Sequence, residues 1–598
     1  MSFPSPRGLY TLLATLIALP FSVAQTPSSA VDSNPPPILI AVHADRSTGP
    51  YTPIWNFFGA DEPNYLYAPN GKKLLGHLAA LSPAPVYFRP HNLLTTGDGA
   101  GSLKWGSTNV YTEQPDGSPV YNFAITDRIF DALTAAHVRP IVEIGFMPEA
   151  LSAHPQPYRH SFPDGDIFTG WSYPPKDESA WRKWSALVTA YATHLRDRYG
   201  AQTDTWLWEV WNEPDIPYWH GTPAEYDRLY DLTANAIRRV LPHSKIGGPE
   251  ATGVSDHSEP FLRQFLEHCA HGVNAATGAV GAPLDFISYH PKGHPEFVDG
   301  HVSGAPDDRS SSAGWVVMSI STQLRAVERG MRVIASYPEW RNTPIILGES
   351  DPEGCGACLS ARNGYRNSPL YGASVTEATL RTYELARKYN LTVQGAVTWA
   401  FEFEDQPAFA QLRALATDGI DKPVLNAFRL MGMLGAGPAP HRSLGNWLAV
   451  ESSGALPLDQ VVEHSVTGAP DVNAVATRNG SEVDILLWNY HDANVAAPPA
   501  QIRLSVDGIQ SASARESEFR MDATHSNATR VWLEMGSPAK PSPVQLSGLE
   551  KAGSLEQTSP DHAVAVHAGK LDLALTLPRD GLLLVRLREP SHEPRREF

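Results

Sequence analysis

The chain has 598 residues, of which 42% are hydrophobic and 19% charged, an ordinary globular composition with room for a large core and more than one domain. Its formal net charge of −17 arises from acidic residues spread along the chain. That balance argues against nucleic acid or an anionic membrane surface as a partner, since both repel it, and is neutral toward a sugar.

Taken in chain order, residues 1–24 have the parts of a secretory signal peptide. Arg7 precedes the apolar run Leu9–Phe21, and Ser22-Val-Ala24 supplies the small residues of a cleavage site, placed after Ala24. The run is too short for a comfortable membrane span, so the mature chain is expected to be soluble and exported, secreted or periplasmic. Residues 25–37, rich in Pro and Ser, read as a linker. The strand Ile38–Val42, within residues 38–52, is expected to join a later β domain.

From residue 53 to residue 430 short apolar runs alternate with longer amphipathic stretches, the pattern of repeated βα units. The runs are Ile54–Phe58, Val86–Phe88, Pro140–Ile144, Trp206–Trp211, Lys245–Gly248, Leu284–Tyr289, Ile345–Leu347 and Val393–Trp399. Helices are expected between them, among them Asp127–His137, Ser179–Tyr199, Ala224–Val240, Pro260–His268, Ala313–Tyr337 and Ser374–Tyr389. Eight strands with intervening helices predict an α/β fold, a (β/α)8 TIM barrel. A doubly wound open sheet usually shows a glycine-rich nucleotide loop after its first strand, and none is visible. The two cysteines of Cys355-Gly-Ala-Cys358 suit a local disulfide in an oxidising compartment; a redox pair and half a zinc site are the other readings. Residues 431–590 carry short β-rich segments, Val483–Trp488, Gln501–Val506, Val531–Glu534, Ala563–His567 and Leu582–Leu587, and predict a C-terminal β-sandwich. Residues 591–598 read as a frayed tail.

Active sites of such barrels lie at the C-terminal ends of the strands. There the sequence places Arg89-Pro-His91-Asn92, Glu143, Asn212-Glu213-Pro214, His290-Pro-Lys292-Gly293, Glu349-Ser-Asp351 and Trp399-Ala-Phe-Glu402. Cleaving a glycosidic bond needs two carboxyl groups facing each other across the anomeric carbon, one protonated and one ionised. Glu213 and Glu349 end the fourth and seventh strands, on roughly opposite sides of an eight-stranded ring. Asn212 is suited to bond a sugar hydroxyl beside the reacting carbon. Each glutamate alone could be a helix-terminal or loop acid; the pair with Asn212 points to catalysis.

Tyr121–Asp127, Val142–Pro148, Trp208-Glu-Val-Trp-Asn-Glu-Pro214, Ile246-Gly-Gly-Pro249 and Gly419–Phe428 together resemble glycoside hydrolase family 39, which contains β-xylosidases and α-L-iduronidases. The resemblance runs from about residue 55 to the low 430s. It implies retention of anomeric configuration, with Glu213 as acid/base and Glu349 as nucleophile. Two stretches depart from the xylosidase pattern. His290-Pro-Lys292-Gly293 is similar to the iduronidase-type His-x-Lys-Gly, and Glu349-Ser-Asp351-Pro352 with Tyr365-Arg366 is similar to its Glu-x-Asp-Pro and downstream arginine. Lys292 and Arg366 either meet an acidic sugar or pair with a nearby acid such as Asp351 or Glu353.

His91 reads as a ligand of a sugar hydroxyl, with a core histidine as the alternative. Trp211 reads as core, while Trp219 and Trp399 either stack on a sugar or pack the barrel. His290-x3-His294 with Glu296 has metal-ligating residue types, but Pro291 and Pro295 break the helix that would align them. No metal or organic cofactor is expected. The candidate site is therefore Glu213 and Glu349 for catalysis, with His91, Asn212, His290, Lys292, Asp351, Arg366 and Trp399 binding substrate. The substrate is expected to be an oligosaccharide or polysaccharide, first a β-xyloside of plant hemicellulose, second an α-L-linked uronic or arabinose-type sugar. A carbohydrate-binding protein with a dead barrel would have lost one of the carboxylates, and both are present.

Overall fold

The computed structural model describes residues 36–160, 169–298, 315–437 and 444–590. The expected signal peptide, nearly all of the linker and the tail lie outside these residues.

Eight parallel strands close a barrel in the order Phe57–Ala60, Tyr87–Pro90, Arg139–Ile144, Leu207–Val210, Lys245–Thr252, Phe286–His290, Ile345–Leu347 and Val393–Trp399. These are the eight apolar runs of the sequence. Strand side chains alternate between faces, and on these strands the inward face changes character along its length. Phe57, Ile141, Leu207, Phe286, Ile346 and Val397 form an apolar layer inside the barrel. Two residues further along three of the strands stand Gly59, Glu143 and Glu209, and Trp399 follows Val397 in the same way. The barrel interior is thus apolar at one level and charged at the next, toward the C-terminal ends. The outward face, with Val142, Ile144, Trp208 and Val210, packs on the helices.

Gly59 serves this arrangement. A Cβ there would stand 2.3 Å from the Trp399 ring, so the small residue admits the indole across the barrel.

Nine strands form the second domain's sheet, antiparallel except where Ile38–Val42 and His43 run parallel to Ile502–Asp507. The early strand Ile38–Pro50 lies inside this sheet, bonded on its other edge to Asn446–Ser452. One face closes on its own core of Ile40, Val42, Ile485, Leu487, Leu504 and Val585. The alternate residues Leu486, Trp488, Leu582 and Leu584 belong to the core shared with the barrel. One expected strand is a helix. Val531–Glu534 falls in Ala528–Glu534, because the Asn527 side chain accepts from Arg530 N–H at 3.3 Å and Arg530 pairs with Glu534 one turn on, overriding the β-branched and aromatic composition.

A buried charge knot joins the domains. Arg381, on the barrel helix Pro369–Tyr389, donates to Glu377 at 2.7 Å on its own helix and to Asp471 of the sheet at 2.8 Å, with all three side chains at most 2% exposed. Asp471 also accepts from the Trp488 indole and the Leu456 backbone. Removing one partner of a buried pair leaves an uncompensated charge. Arg381→Met is expected to cost about 3–5 kcal/mol of stability, read as a lowered urea midpoint. Arg196→Ala, whose partner Asp197 is exposed, should cost under ~1 kcal/mol.

Candidate active site

Glu213 follows the fourth strand with a left-handed backbone, φ 47°, as does Trp211 at 71°. The Glu213 N–H donates to the Glu250 carbonyl at 2.9 Å, fixing this kinked segment against the fifth strand. Trp211 is fully buried, and its indole donates to the Tyr218 carbonyl at 2.9 Å. Trp219 packs edge-on against it. Both tryptophans are scaffold.

Glu349 lies across the barrel at the end of the seventh strand. A carboxylate oxygen of Glu213, a ring nitrogen of His290 and a carboxylate oxygen of Glu349 all lie within 4.8 Å of one another. One oxygen of each carboxylate is thus near the other, as direct attack on a sugar at a carboxyl spacing of about 5–5.5 Å requires. Between the two glutamates sits Lys292, whose Nζ is 2.7 Å from Glu213 Oε1 and 2.7 Å from Glu349 Oε2.

His290 Nδ1 is 2.9 Å from Glu213 Oε1, and Nε2 is 2.6 Å from Glu250 Oε2. Burial alone would lower the pKa of this imidazole, but Glu349, Glu213 and Glu250 raise it above the ordinary histidine value. The residue before Glu349 has to be small: a Cβ on Gly348 would lie 1.7 Å from Glu250 Oε2 and 2.9 Å from His290 Nε2.

Beneath this trio lies the charged layer. Arg89 is fully buried and pairs with Glu209, stands 3.3 Å from Glu143, and donates to Asn212 Oδ1 at 3.2 Å. It is also 3.7 Å from Glu250 and from Glu349. Burial would lower its pKa, but these carboxylates hold it above even the arginine range. His91 stands 2.9 Å from Asp61 and 2.9 Å from Glu143, with its ring 4.2 Å from that of Trp399. Burial opposes its charge, yet Glu143 and Asp61 push its pKa up to about 9. His91 is therefore built into the floor, 1% exposed and with Nε2 2.6 Å from Arg89 Nη1, rather than a free ligand for a sugar hydroxyl. Trp399 covers Arg89 at 5.1 Å and is 4% exposed.

The same geometry sets the charge of Glu213. Burial alone would raise its pKa, but Lys292 and the His290 hydrogen bond hold it well below the usual carboxylate range. Burial likewise pulls Lys292 down, while the two glutamates hold it above the ordinary lysine value. The unliganded site therefore holds an ionised Glu213 clamped by an ammonium.

Two expected substrate ligands are taken up elsewhere. Asp351 is fully buried; its Oδ2 accepts from the Trp399 N–H at 2.9 Å, and Arg413 stands 3.8 Å away. Burial pushes its pKa up to about 6 against the pull of Arg413. Its carbonyl accepts from Gly293 N–H at 2.8 Å, and a Cβ on Gly293 would lie 2.4 Å from the Pro352 carbonyl. Asp351 thus braces Trp399, and its loop carries the one that presents Lys292. Arg366 pairs with neither Glu213 nor Glu349. It is 1% exposed, pairs with Glu353 and donates to the carbonyls of Cys355, Cys358 and Gln411. It ties together a loop that a Cys355–Cys358 disulfide also closes. Of the two readings for Arg366, pairing with Glu353 is the one observed. Lys292 pairs with neither Asp351 nor Glu353 but with Glu213 and Glu349.

Of the charged layer, Arg89 and Glu143 stand among the strand-end residues of the sequence but without an assigned role, and Glu209 and Glu250 are absent from the expected site. Their signal was the period of two, which puts Glu143 on the face of Ile141 and Glu209 on the face of Leu207. Nothing in the sequence marks Glu250, whose left-handed φ of 55° only the structure shows.

The family described as Glycosyl hydrolases family 39 matches residues 99–563. A β-xylosidase of Geobacillus stearothermophilus is 25% identical over 85% of this chain and 87% of its own. The α-L-iduronidase of Mus musculus is 25% identical over 97% of this chain and 84% of its own. Among solved structures, a monomeric β-xylosidase from Caulobacter crescentus superposes with a TM-score of 0.69 at 22% identity, covering 92% of this chain and 100% of that one. A bacterial orthologue of human α-L-iduronidase gives 0.68 at 20% identity, covering 93% and 84%. The barrel with its mostly antiparallel companion sheet is the fold of these enzymes. With a match spanning most of its length, the chain belongs to glycosyl hydrolase family 39, whose members are retaining glycosidases.

Proposed function

We propose that the protein is an exported, exo-acting retaining glycosidase that releases terminal β-linked xylose, with Glu349 as nucleophile and Glu213 as acid/base. The observation that carries the mechanism is the pair of buried carboxylates within 4.8 Å of each other. The β-xylosidases that match most of their own length support the sugar. Residues 1–24 support export by their sequence alone.

In the first step a Glu349 oxygen attacks the anomeric carbon while Glu213 gives its proton to the departing oxygen. In the second, Glu213 takes a proton from water, which releases the sugar from Glu349. Lys292 occupies the space between the glutamates, so substrate binding has to move its ammonium aside. That displacement has an electrostatic result. Glu213 loses the cation that keeps it ionised, and burial then raises its pKa, as the acid role requires. Asn212, whose Oδ1 is held by Arg89, has its Nδ2 left for a hydroxyl of the bound sugar.

A second reading, a uronic acid such as an α-L-iduronide at the same site, is favoured by Lys292. A carboxylate on the sugar would give the displaced ammonium a partner, whereas a neutral pentose would give it only hydroxyls.

Both readings are tested with nitrophenyl β-xyloside and the corresponding α-L-iduronide. Glu213→Ala and Glu349→Ala should each lower kcat on the preferred glycoside by at least about 10²–10⁴-fold. Equal turnover by wild type and both variants would sink the mechanism, and turnover of the iduronide alone would replace the xyloside. The alkaline limb of kcat/KM for a neutral substrate reports loss of the Glu213 proton from the free enzyme. Since Lys292 lowers that pKa, Lys292→Met should move the limb to higher pH by about one unit or more; an unmoved limb would show that Lys292 does not set the acid.

A further inference from the structure

The first barrel strand, Phe57–Ala60, runs directly into Asp61. Phe57 lies in the apolar layer inside the barrel, and a Cβ on Gly59 would meet the Trp399 ring. The alternation of faces therefore turns Asp61 inward too, one level above Gly59. Its carbonyl accepts from Asn92 Nδ2 at 2.8 Å and from the Gly106 N–H at 3.3 Å, which ties its backbone to the loop after the second strand.

The side chain reaches toward Glu349. His91 Nδ1 is 2.9 Å from Asp61 Oδ1, and on the other side of the same imidazole Nε2 is 3.9 Å from Glu349 Oε1. One imidazole ring thus separates the two carboxylates, a gap that a single sugar ring can bridge. Of the acids gathered here, Asp61 is the open one. Its side chain is 23% exposed, against 7% for Glu213, 4% for Glu349 and none for Glu143 and Glu250. Among the described residues its carboxylate has only His91 as an ion-pair partner, although an ionised carboxylate can accept at about four positions. Burial would raise its pKa, but His91, and then Lys292 and Lys104, hold it below the ordinary aspartate value. Tyr218 faces the same space: burial raises the pKa of its phenol, and Glu213, Asp61 and Glu349 add to the rise while Lys292 opposes it.

A sugar seated against Glu349 would take the Asp61 carboxylate out of solvent. That is costly unless donors replace the solvent, which ring hydroxyls do and an apolar group does not. We propose that Asp61 is a substrate-binding residue that accepts hydrogen bonds from ring hydroxyls of the sugar held against Glu349. The proposal rests on the reading of Glu213 and Glu349 as the catalytic pair. It holds for the xyloside and the iduronide alike, since both sugars carry hydroxyls at C2, C3 and C4.

The test sets Asp61 against those hydroxyls. The preferred nitrophenyl glycoside and its 2-, 3- and 4-deoxy analogues are turned over by wild type and by Asp61→Ala. On the full glycoside Asp61→Ala should lower kcat/KM at least about tenfold, the weight of a hydrogen bond to a charged group. At least one deoxy analogue should cost wild type about tenfold in kcat/KM and cost Asp61→Ala under about threefold, because the partner of the missing hydroxyl is already gone. Any change in intrinsic reactivity is common to both enzymes and cancels. Should Asp61→Ala lose its cooperative urea transition, Asp61→Asn, which keeps an oxygen for His91, takes its place, with the deoxy penalty reduced rather than removed. Penalties equal in wild type and variant for all three analogues would assign Asp61 to His91 alone and overturn the proposal. Turnover by Glu349→Ala would instead defeat the catalytic reading, whatever Asp61 does.

Discussion

Arg89 stands in the middle of the barrel with no access to water, and Glu209, Glu143, Glu250 and Glu349 all lie within reach of its guanidinium. Several carboxylates at this depth would repel one another and resist ionisation if left alone. Arginine suits the position because it stays charged and offers five donors in a fixed fork. His91, between Asp61 and Glu143, completes the layer, and Trp399 roofs both it and Arg89. The residues around Glu213 and Glu349 rest on this layer: Asn212 is gripped by Arg89, and His290 is held from below by Glu250.

His290 links the layer to the chemistry above. One ring nitrogen faces Glu250 and the other Glu213, so the orientation of Glu213 is set from inside the barrel rather than by solvent. Gly348 makes that contact possible by leaving out a side chain, and the bond from Gly293 to Asp351 ties the Lys292 loop to the loop after Glu349. The sixth and seventh strand ends therefore behave as one rigid rim. Lys292, 21% exposed and attached by a long flexible stem, is the movable charge on it.

The barrel was readable because short, mostly apolar runs recur between amphipathic helices, and Glu213 and Glu349 because they end two of these runs in distinctive motifs. The supporting charges were harder to see. Glu209 is enclosed by Trp208 and Trp211 in what reads as a hydrophobic strand, and only its distance of two from Leu207 turns it inward. Gly59 and Gly348 look like ordinary strand residues until Trp399 and Glu250 arrive from elsewhere in the chain. Arg366 carried a charge in a suggestive place, but one of its partners, the Gln411 carbonyl, is 45 residues away and invisible to a motif. In the second domain a composition of Val, Trp and Leu suggested a strand at residues 531–534, and the cap at Asn527 decided otherwise. Long-range packing and local capping, rather than composition, settled each of these cases.

The strand Ile38–Pro50 sits within the second domain's sheet, although the whole barrel separates it in the chain from the strands it bonds, Asn446–Ser452 and Ala500–Asp507. During synthesis this first strand must wait, its edges unmet, until the barrel has been made and more than four hundred further residues have emerged. Contacts of such long range form late. The two domains are consequently not modules that can be cut apart at a linker. A fragment beginning after the barrel would lack an interior strand of its sheet, and a barrel excised with the leading strand would carry two bare edges exposed to aggregation.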